Sequence, residues 1–147
     1  MSKNRRPSEV DDIVDALATV QLFADLKKKD LQQIASMCRP EHFDAGDTIV
    51  AEGDSAGRFY LVADGTAEVS SNGERVGEIS GGGSFGEIAL IDRGPRTATV
   101  RATSEIHAWS IASFTLRPLL KEHPELSYRL LGAVCQMLRN AQHPLHT

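Results

Sequence analysis

The side chains best suited to chemistry lie in one segment, GGGSFGEIALIDRGPRTATV, at residues 81–100. Its glycines let the main chain approach a ligand closely, because no Cβ stands in the way. Glu87 follows the glycines, and Arg96 comes nine residues later. A helical turn starting near Glu87 would aim its first amides at an anion, and a guanidinium pairs bidentately with a phosphate. The segment therefore predicts a phosphate site.

The carboxylate of Glu87 narrows the choice of ligand. It would repel a phosphate unless its oxygens were used by another part of the same molecule. An ionised carboxylate only accepts hydrogen bonds, and a sugar hydroxyl can donate one. A ligand with both a phosphate and a free ribose hydroxyl would satisfy Glu87 and Arg96 together, as nucleotides do.

The same segment resembles the phosphate-binding cassette of cyclic-nucleotide-binding domains, as in protein kinase A regulatory subunits, catabolite activator proteins and cyclic-nucleotide-gated channels. The pattern F-G-E-[LI]-A-L followed by P-R-[TA]-A is matched at residues 85–90 and 95–98. Similar stretches are VQLFADL near residues 20–26, AGDTIVAEGD at 45–54 and RFYLVADGTAEV at 58–69. The resemblance covers about residues 15–140 and implies a stand-alone, bacterial-type member of the family.

The resemblance implies a role for each cassette residue. The carboxylate of Glu87 would accept the ribose 2′-hydroxyl, and Arg96 would pair with the cyclic phosphate. Main-chain amides and the Thr97 hydroxyl would complete the phosphate site, and Phe85 would be a buried anchor beneath it. The expected ligand-binding residues are Phe85, Gly86, Glu87, Ile88, Ala89, Arg96, Thr97 and Ala98.

The expected ligand is a cyclic nucleotide, with cAMP preferred over cGMP. In parts of the family a threonine at the position of Thr97 favours guanine, so Thr97 permits cGMP without requiring it. The family often has an acidic residue two positions before the cassette phenylalanine, whereas Gly83 stands here with Ser84 after it. This departure predicts a more flexible cassette.

Hydrophobic periodicity predicts helices at both ends of the chain. Ser8 is the expected cap of a first helix, whose apolar positions follow a helical spacing. A second helix is predicted from about Lys28 to Cys38 and is ended by Pro40. After Ser113 a short helix precedes a longer one from Pro124, whose expected apolar face is Leu126, Leu130, Leu131, Val134 and Leu138.

Between the helices, residues 41–111 read as seven or eight short strands separated by glycines. The dipeptides Asp64-Gly65 and Asn72-Gly73 favour tight hairpin turns. The spacing is typical of a closed or sandwich-like antiparallel structure. The resemblance implies a mainly β fold: an eight-stranded antiparallel β jelly roll with N-terminal helices and a C-terminal lid helix.

Composition favours a single globular domain over residues 1–147, with a core at about 15–140 and flexible ends at 1–7 and 143–147. Apolar residues make up 41% of the chain and charged residues 24%, which is typical of soluble proteins. The net charge of -4 argues against a nucleic-acid partner. The polar N-terminus and the lack of long apolar stretches predict a cytoplasmic protein with no membrane partner.

Few residues outside the cassette suggest chemistry. The five histidines form neither H-x-H nor H-E-x-x-H, so no metal site and no cupin-type enzyme is predicted. No nucleophile–base set is visible, and we expect no enzymatic activity and no cofactor besides the nucleotide ligand. Cys38 and Cys135 are predicted to be buried thiols, and Trp109 and Phe114 are predicted core residues.

These observations predict a regulatory sensor that signals to an unknown protein effector when its C-terminal helix is repositioned. That helix also offers a surface for a homodimer. Two alternatives stay open. The first is a degenerate domain that acts as a ligand-free interaction module. The second is a fragment of a catabolite-activator-type transcription regulator, which the acidic charge and the end of the chain at Thr147 disfavour.

Overall fold

The computed structural model describes residues 7–55, 57–87, 90 and 94–142. The predictions for Ile88, for Ala89 and for flexible ends lie outside the described residues, apart from Pro7, where the first helix begins. Proline is common at this position because its missing N–H would have no partner there. The helix thus begins before Ser8, so Ser8 is not the cap that the sequence predicts. The chain divides into two compact units, residues 38–116 and residues 1–37 with 117–147.

The first unit contains the strands. They are β1 (Arg39–Phe43), β2 (Thr48–Val50), β3 (Arg58–Asp64), β4 (Thr66–Ser71), β5 (Glu74–Ser80), β6 (Ser84–Phe85), β7 (Thr99–Ala102) and β8 (Ile106–Ala112). They form two four-stranded sheets, in the orders β1-β8-β3-β6 and β2-β7-β4-β5. Every pairing between these strands is antiparallel. The predicted antiparallel jelly roll with flanking helices is confirmed.

Both sheets contribute to one apolar core. Its buried members are small and β-branched side chains, which suit closely packed strands. Half-buried apolar residues, among them Val50, Ile79 and Phe85, pack against it. The buried members are Val62, Ala67, Val100, Ala102, Ile106 and Ala108.

The two predicted hairpin dipeptides behave differently. Asn72-Gly73 joins β4 to β5, and both residues have positive φ, 54° and 81°. Asp64-Gly65 is not a hairpin, because β3 and β4 belong to different sheets. Gly65 has φ 104°, and a Cβ there would collide with the carbonyl oxygen of Glu105. Glycine is needed here for the passage of the chain between the sheets.

The start of β1 is not predicted by the sequence, because the predicted strand region begins at residue 41 and Pro40 reads as a helix terminator. The second helix does end before it, at Met37. Pro40 then pairs with Trp109 in β1. Since β1 is an edge strand, proline is tolerated without the loss of a central hydrogen bond.

The second unit is helical. Its helices are α1 (Pro7–Ala18), a 3-10 helix (Gln21–Phe23), α2 (Lys28–Met37), residues 117–122 of α3 (Ser113–Glu122) and α4 (Pro124–Gln142). Arg129 of α4 lies 3.7 Å from a carboxylate oxygen of Asp30 in α2. Leu126, Leu130 and Ala133 form the buried stripe of α4.

Two predictions of burial are wrong, and the single apolar face that the sequence predicts for α4 is divided. Leu131 and Leu138 are 59% and 57% exposed, so the expected apolar face of α4 is really two stripes. Cys135 is exposed, although Cys38 is buried as predicted. Phe114 is 70% exposed rather than part of the core. None of the helices in the described part of the chain is long and apolar enough to cross a membrane.

Candidate functional site

The described residues of the predicted site all line one cavity of about 530 Å³. This volume is within the roughly 300–1,000 Å³ typical of small-molecule sites. Val50, Val69, Ile79 and Val100 form an apolar wall. The predicted site residues in its lining are Phe85, Gly86, Glu87, Arg96, Thr97 and Ala98.

Gly86 is required by both conformation and space. Its φ of 90° lies in the left-handed region, which L side chains rarely adopt. A Cβ at this position would lie 2.6 Å from the carbonyl oxygen of Arg58 and 2.8 Å from Nη1 of Arg96. The glycine therefore makes room for the guanidinium beside the main chain of β3.

The main chain on both sides of Arg96 is held by hydrogen bonds. Its N–H donates to the carbonyl of Asp54, and its own carbonyl accepts from the N–H of Gly53, each at 2.9 Å. Pro95 forms an isolated antiparallel bridge with Ser55. The residue is therefore positioned by a short antiparallel contact outside the two main sheets.

The guanidinium of Arg96 is only partly satisfied. Nη2 donates to the carbonyl oxygen of Arg58 at 2.7 Å. Nε is buried and has no hydrogen-bond partner among the described residues. Burial is the main cause that lowers the pKa of Arg96, against a weaker opposing effect of Tyr60 and Asp54. An arginine stays charged under these conditions, so the site holds a desolvated cation suited to an anion.

Glu87 is half-buried at the start of the predicted helical turn. The N–H of Leu90 donates to its carbonyl oxygen at 3.3 Å, and Leu90 is buried. Glu87 and Arg96 both line the cavity, yet none of the ion pairs within the described residues joins them. A ligand in the cavity would therefore not have to break a direct ion pair between them.

Phe85 connects the cassette to the barrel. It pairs with Tyr60 across β6 and β3, and the two rings stack with centroids 4.9 Å apart and an interplanar angle of 16°. The Tyr60 ring also contacts Phe43 edge-on, with the two ring centroids 6.2 Å apart. Burial, with a smaller contribution from Glu41, raises the pKa of Tyr60. Phe85 is half-buried rather than fully buried as expected, and its ring packs on Tyr60.

Thr97 and Ala98 complete the described cassette. Thr97 is exposed at the cavity, and its carbonyl accepts a hydrogen bond from Ser71 Oγ at 3.1 Å. Ala98 is half-buried and precedes β7. Both residues line the cavity together with Glu87 and Arg96.

Sequence patterns missed the contribution of Arg58 and Tyr60. Arg58 accepts the Arg96 hydrogen bond with its main chain, so its side-chain type gives no signal. Both residues also line a second cavity of about 690 Å³, together with Arg96, Asp54 and Phe114. Arg96 therefore borders two cavities.

The sequence model of the cyclic nucleotide-binding domain matches residues 40–123. The chain belongs to this family. The matched region includes all the residues that line the 530 Å³ cavity. The resemblance seen in the cassette therefore extends through the two sheets.

Individual relatives agree with this assignment. The chain is similar to a cAMP-dependent protein kinase regulatory subunit of Yarrowia lipolytica, with 30% identity over 119 residues, 81% of this chain and 32% of that protein. It therefore spans about a third of the length of this curated relative.

Two solved structures are also similar. One is the N-terminal domain of a transcriptional regulator from Streptomyces coelicolor, with TM-score 0.81 and 29% identity, covering 88% of this chain and 96% of that one. The other is the regulatory domain of Toxoplasma gondii protein kinase A with cAMP, with TM-score 0.72 and 27% identity, covering 78% of this chain and 45% of that one.

Proposed function

We propose that this chain is a regulatory sensor domain whose 530 Å³ cavity binds cAMP in preference to cGMP. The observation that carries the proposal is the guanidinium of Arg96, which borders the cavity with a buried Nε that lacks a hydrogen-bond partner in the described structure. A cyclic phosphate would supply the missing negative charge, and a rotation of the side chain that turns Nε toward the cavity would give this atom its missing acceptor.

Each side chain then has a distinct task. Arg96 binds the phosphate, helped by main-chain amides of the cassette at Gly86, Ile88, Ala89 and Ala98. Glu87 accepts the ribose 2′-hydroxyl, which explains why an acid is tolerated beside an anion site. The apolar wall excludes water and strengthens these electrostatic interactions.

The preference for cAMP is supported by the relatives. The Yarrowia protein is a cAMP-dependent subunit, and the Toxoplasma domain was solved with cAMP. Thr97 is exposed at the cavity and offers a hydroxyl that can also meet guanine. We therefore expect cGMP to bind as well, but more weakly than cAMP.

Calorimetric titration tests the site. We expect cAMP to bind more tightly than cGMP, and adenosine, which lacks the phosphate, to bind far more weakly than either. Adenosine binding as tightly as cAMP would refute the role of Arg96. The absence of heat and of a thermal shift with every nucleotide would instead favour the ligand-free interaction module.

We infer that ligand binding changes the placement of α4 and that a partner protein recognises this change. We also infer that the domain itself performs no catalysis. Binding would shift the population between two placements of this helix. Hydrogen exchange followed by mass spectrometry should show altered protection in residues 124–142 when cAMP is added. Protection that changes only in the cassette would contradict this route of signalling.

The exposed stripe of α4 supports a homodimer as one means by which the domain signals. Its members are Tyr128, Leu131, Cys135 and Leu138, with spacings of three, four and three residues. This is the spacing by which two helices pack along a common seam. A second copy of this chain is the partner that we propose for the stripe.

A second candidate function is the nucleotide-sensing part of a transcription regulator. The observation in its favour is the similarity to nearly the whole N-terminal domain of the Streptomyces regulator. The sensor domain and the transcription regulator are distinguished by the mass of the native protein, which is detected with an antibody raised against this chain. A species much longer than 147 residues that retards DNA would support the regulator.

A further inference from the structure

The face of the β1-β8-β3 sheet carries a cluster that the nucleotide site does not use. His42 of β1 and His107 of β8 are register partners on neighbouring strands. Glu105 lies two residues before His107, and this spacing places both side chains on the same face of an extended chain. One possible ligand atom from each of the three residues lies within 4.8 Å of the others.

The geometry of the cluster is already compact. Nε2 of His42 lies 2.6 Å from Oε2 of Glu105. The two imidazole rings have centroids 5.1 Å apart and are tilted by 55°. Two ligands of a tetrahedral zinc ion lie about 3.4 Å apart, given bonds of about 2.0–2.1 Å. Small rotations of exposed side chains would therefore bring these atoms around one ion.

Asp64 supports the arrangement from the next strand. Its Oδ1 lies 3.0 Å from Nδ1 of His107, with which it is also in register across β3 and β8. A carboxylate on one ring nitrogen fixes the orientation of a metal-binding histidine and increases its basicity. All of these residues are on strands or directly beside one, so the sheet holds their main chains in place.

We propose that His42, Glu105 and His107 bind a divalent first-row transition-metal ion such as Zn²⁺, with Asp64 orienting the His107 ring. Two imidazoles and a carboxylate are ligands that suit zinc and its neighbours rather than Ca²⁺ or Mg²⁺, which prefer oxygen alone. The ligand set leaves further coordination positions open to water, or to a side chain of another molecule.

Local sequence patterns gave no metal site, because the two histidines are far apart in the chain. They become neighbours only through the pairing of β1 with β8. The cluster is also independent of the cassette, so its test does not depend on nucleotide binding.

Titration of the untagged full chain with Zn²⁺ at about pH 8, where imidazole is neutral, tests the site. We expect one equivalent to bind and to raise the unfolding temperature. His42→Gln and His107→Gln should each weaken binding at least about tenfold, and Asp64→Asn by about tenfold, which is the loss typical of an orienting group. Co²⁺ should give a visible absorption band that the histidine variants lose.

The matched control is a variant in which the chain's other three histidines, His123, His143 and His146, are changed to Gln. It should keep full Zn²⁺ affinity. Binding that is lost in this control, or that survives in both His42→Gln and His107→Gln, overturns the proposal. An unchanged circular dichroism spectrum and unchanged metal-free unfolding temperature in the histidine variants would show that they are folded, so a failed metal site would not weaken the nucleotide proposal.

Discussion

Arg96 donates a 2.7 Å hydrogen bond from its guanidinium to the main-chain carbonyl of Arg58, 38 residues away in the chain. The bond fixes one end of the guanidinium to β3. Because Nε is left without a partner in the described structure, the same group can bind a ligand without giving up its anchor.

Arg96→Ala should reduce cAMP affinity by roughly 30-fold or more, since loss of one member of a buried charge pair costs about 2–5 kcal/mol. Arg96→Lys should retain part of the affinity, because an ammonium keeps the charge but not the planar fork. Calorimetry measures both. The control is Arg101→Ala, an exposed arginine on β7, which should bind as the parent does. Equal affinities for Arg96→Ala and the parent would place the phosphate elsewhere.

Gly86→Ala should lower both stability and affinity. An alanine at φ 90° is strained by about 1–2 kcal/mol, and its Cβ would also push against Arg58 and Arg96. Gly82→Ala is a matched control, since Gly82 has φ 91° and nothing within 4 Å of the added Cβ. Chemical denaturation should show a larger loss for Gly86→Ala, and only that variant should bind cAMP weakly. Equal behaviour of the two variants would contradict this account.

Glu87→Ala should weaken cAMP binding by about 10- to 150-fold, because a hydrogen bond to a charged group contributes about 1.5–3 kcal/mol. The same substitution should have little effect on the binding of 2′-deoxy-cAMP, which lacks the 2′-hydroxyl that we propose donates a hydrogen bond to Glu87. Titration of both proteins with both nucleotides forms a double-mutant cycle. Equal losses for the two nucleotides would show that Glu87 does not bind the ribose.

Leu131→Asp combined with Leu138→Asp should convert a dimer into a monomer, because the charges would be buried at the proposed seam. Sedimentation equilibrium measures the mass. The control is Gln136→Asp, an exposed substitution on the same helix, which should leave the dimer intact. A parent protein that sediments as a monomer at all concentrations would refute the dimer.

The ion pair of His42 and Glu105 should be visible in a pH titration followed by nuclear magnetic resonance. The hydrogen bond between them is the largest cause of both shifts: it raises the pKa of His42 above 6.5 and lowers the pKa of Glu105. The His42 contribution to stability is complete below its unfolded pKa and is lost as the pH rises through the raised value. The Glu105 contribution is lost as the pH falls through its lowered value.

Glu105→Gln should return the His42 pKa toward 6.5. Glu78→Gln, which removes an exposed carboxylate from β5, should leave it unchanged. A His42 pKa that is the same in Glu105→Gln and in the parent would mean that the pair does not form in solution.

The sequence predicts the fold well where local pattern and tertiary structure agree. The short apolar run in RFYLVA and the turn at Asn72-Gly73 are local features, and they appear in the structure as β3 and as the turn between β4 and β5. Asp64-Gly65 has the same local chemistry but joins two sheets, because its environment is set by Glu105 and Ile106 from a distant part of the chain. Local turn propensity carries no information about that packing.

Burial in the helices was predicted less well. Apolar spacing marks Leu130 and Leu131 alike, but only Leu130 is packed. A helix with two apolar stripes cannot be oriented from its own sequence, since the neighbours decide which stripe is covered. The exposure of Cys135 and Phe114 has the same origin: an apolar side chain is not obliged to be buried.

The cassette pattern names residues whose described members line one cavity, but their role in binding a ligand stays a prediction and the pattern does not reveal the groups that support them. What the sequence could not give is the contact between Arg96 and a main-chain carbonyl, because a carbonyl is present at every residue. The steric demand at Gly86 is equally hidden, since it arises from Arg58 on another strand.

The position of Arg96 between two cavities has a thermodynamic consequence. Its guanidinium borders the 530 Å³ cavity and also the 690 Å³ cleft that contains Asp54 and Phe114. Under the proposed function, a solute that draws this cation into the cleft would weaken its hold on the nucleotide in the cavity. Linkage would make the antagonism reciprocal, by the same factor in both directions, so a single side chain would make the two compartments competitors.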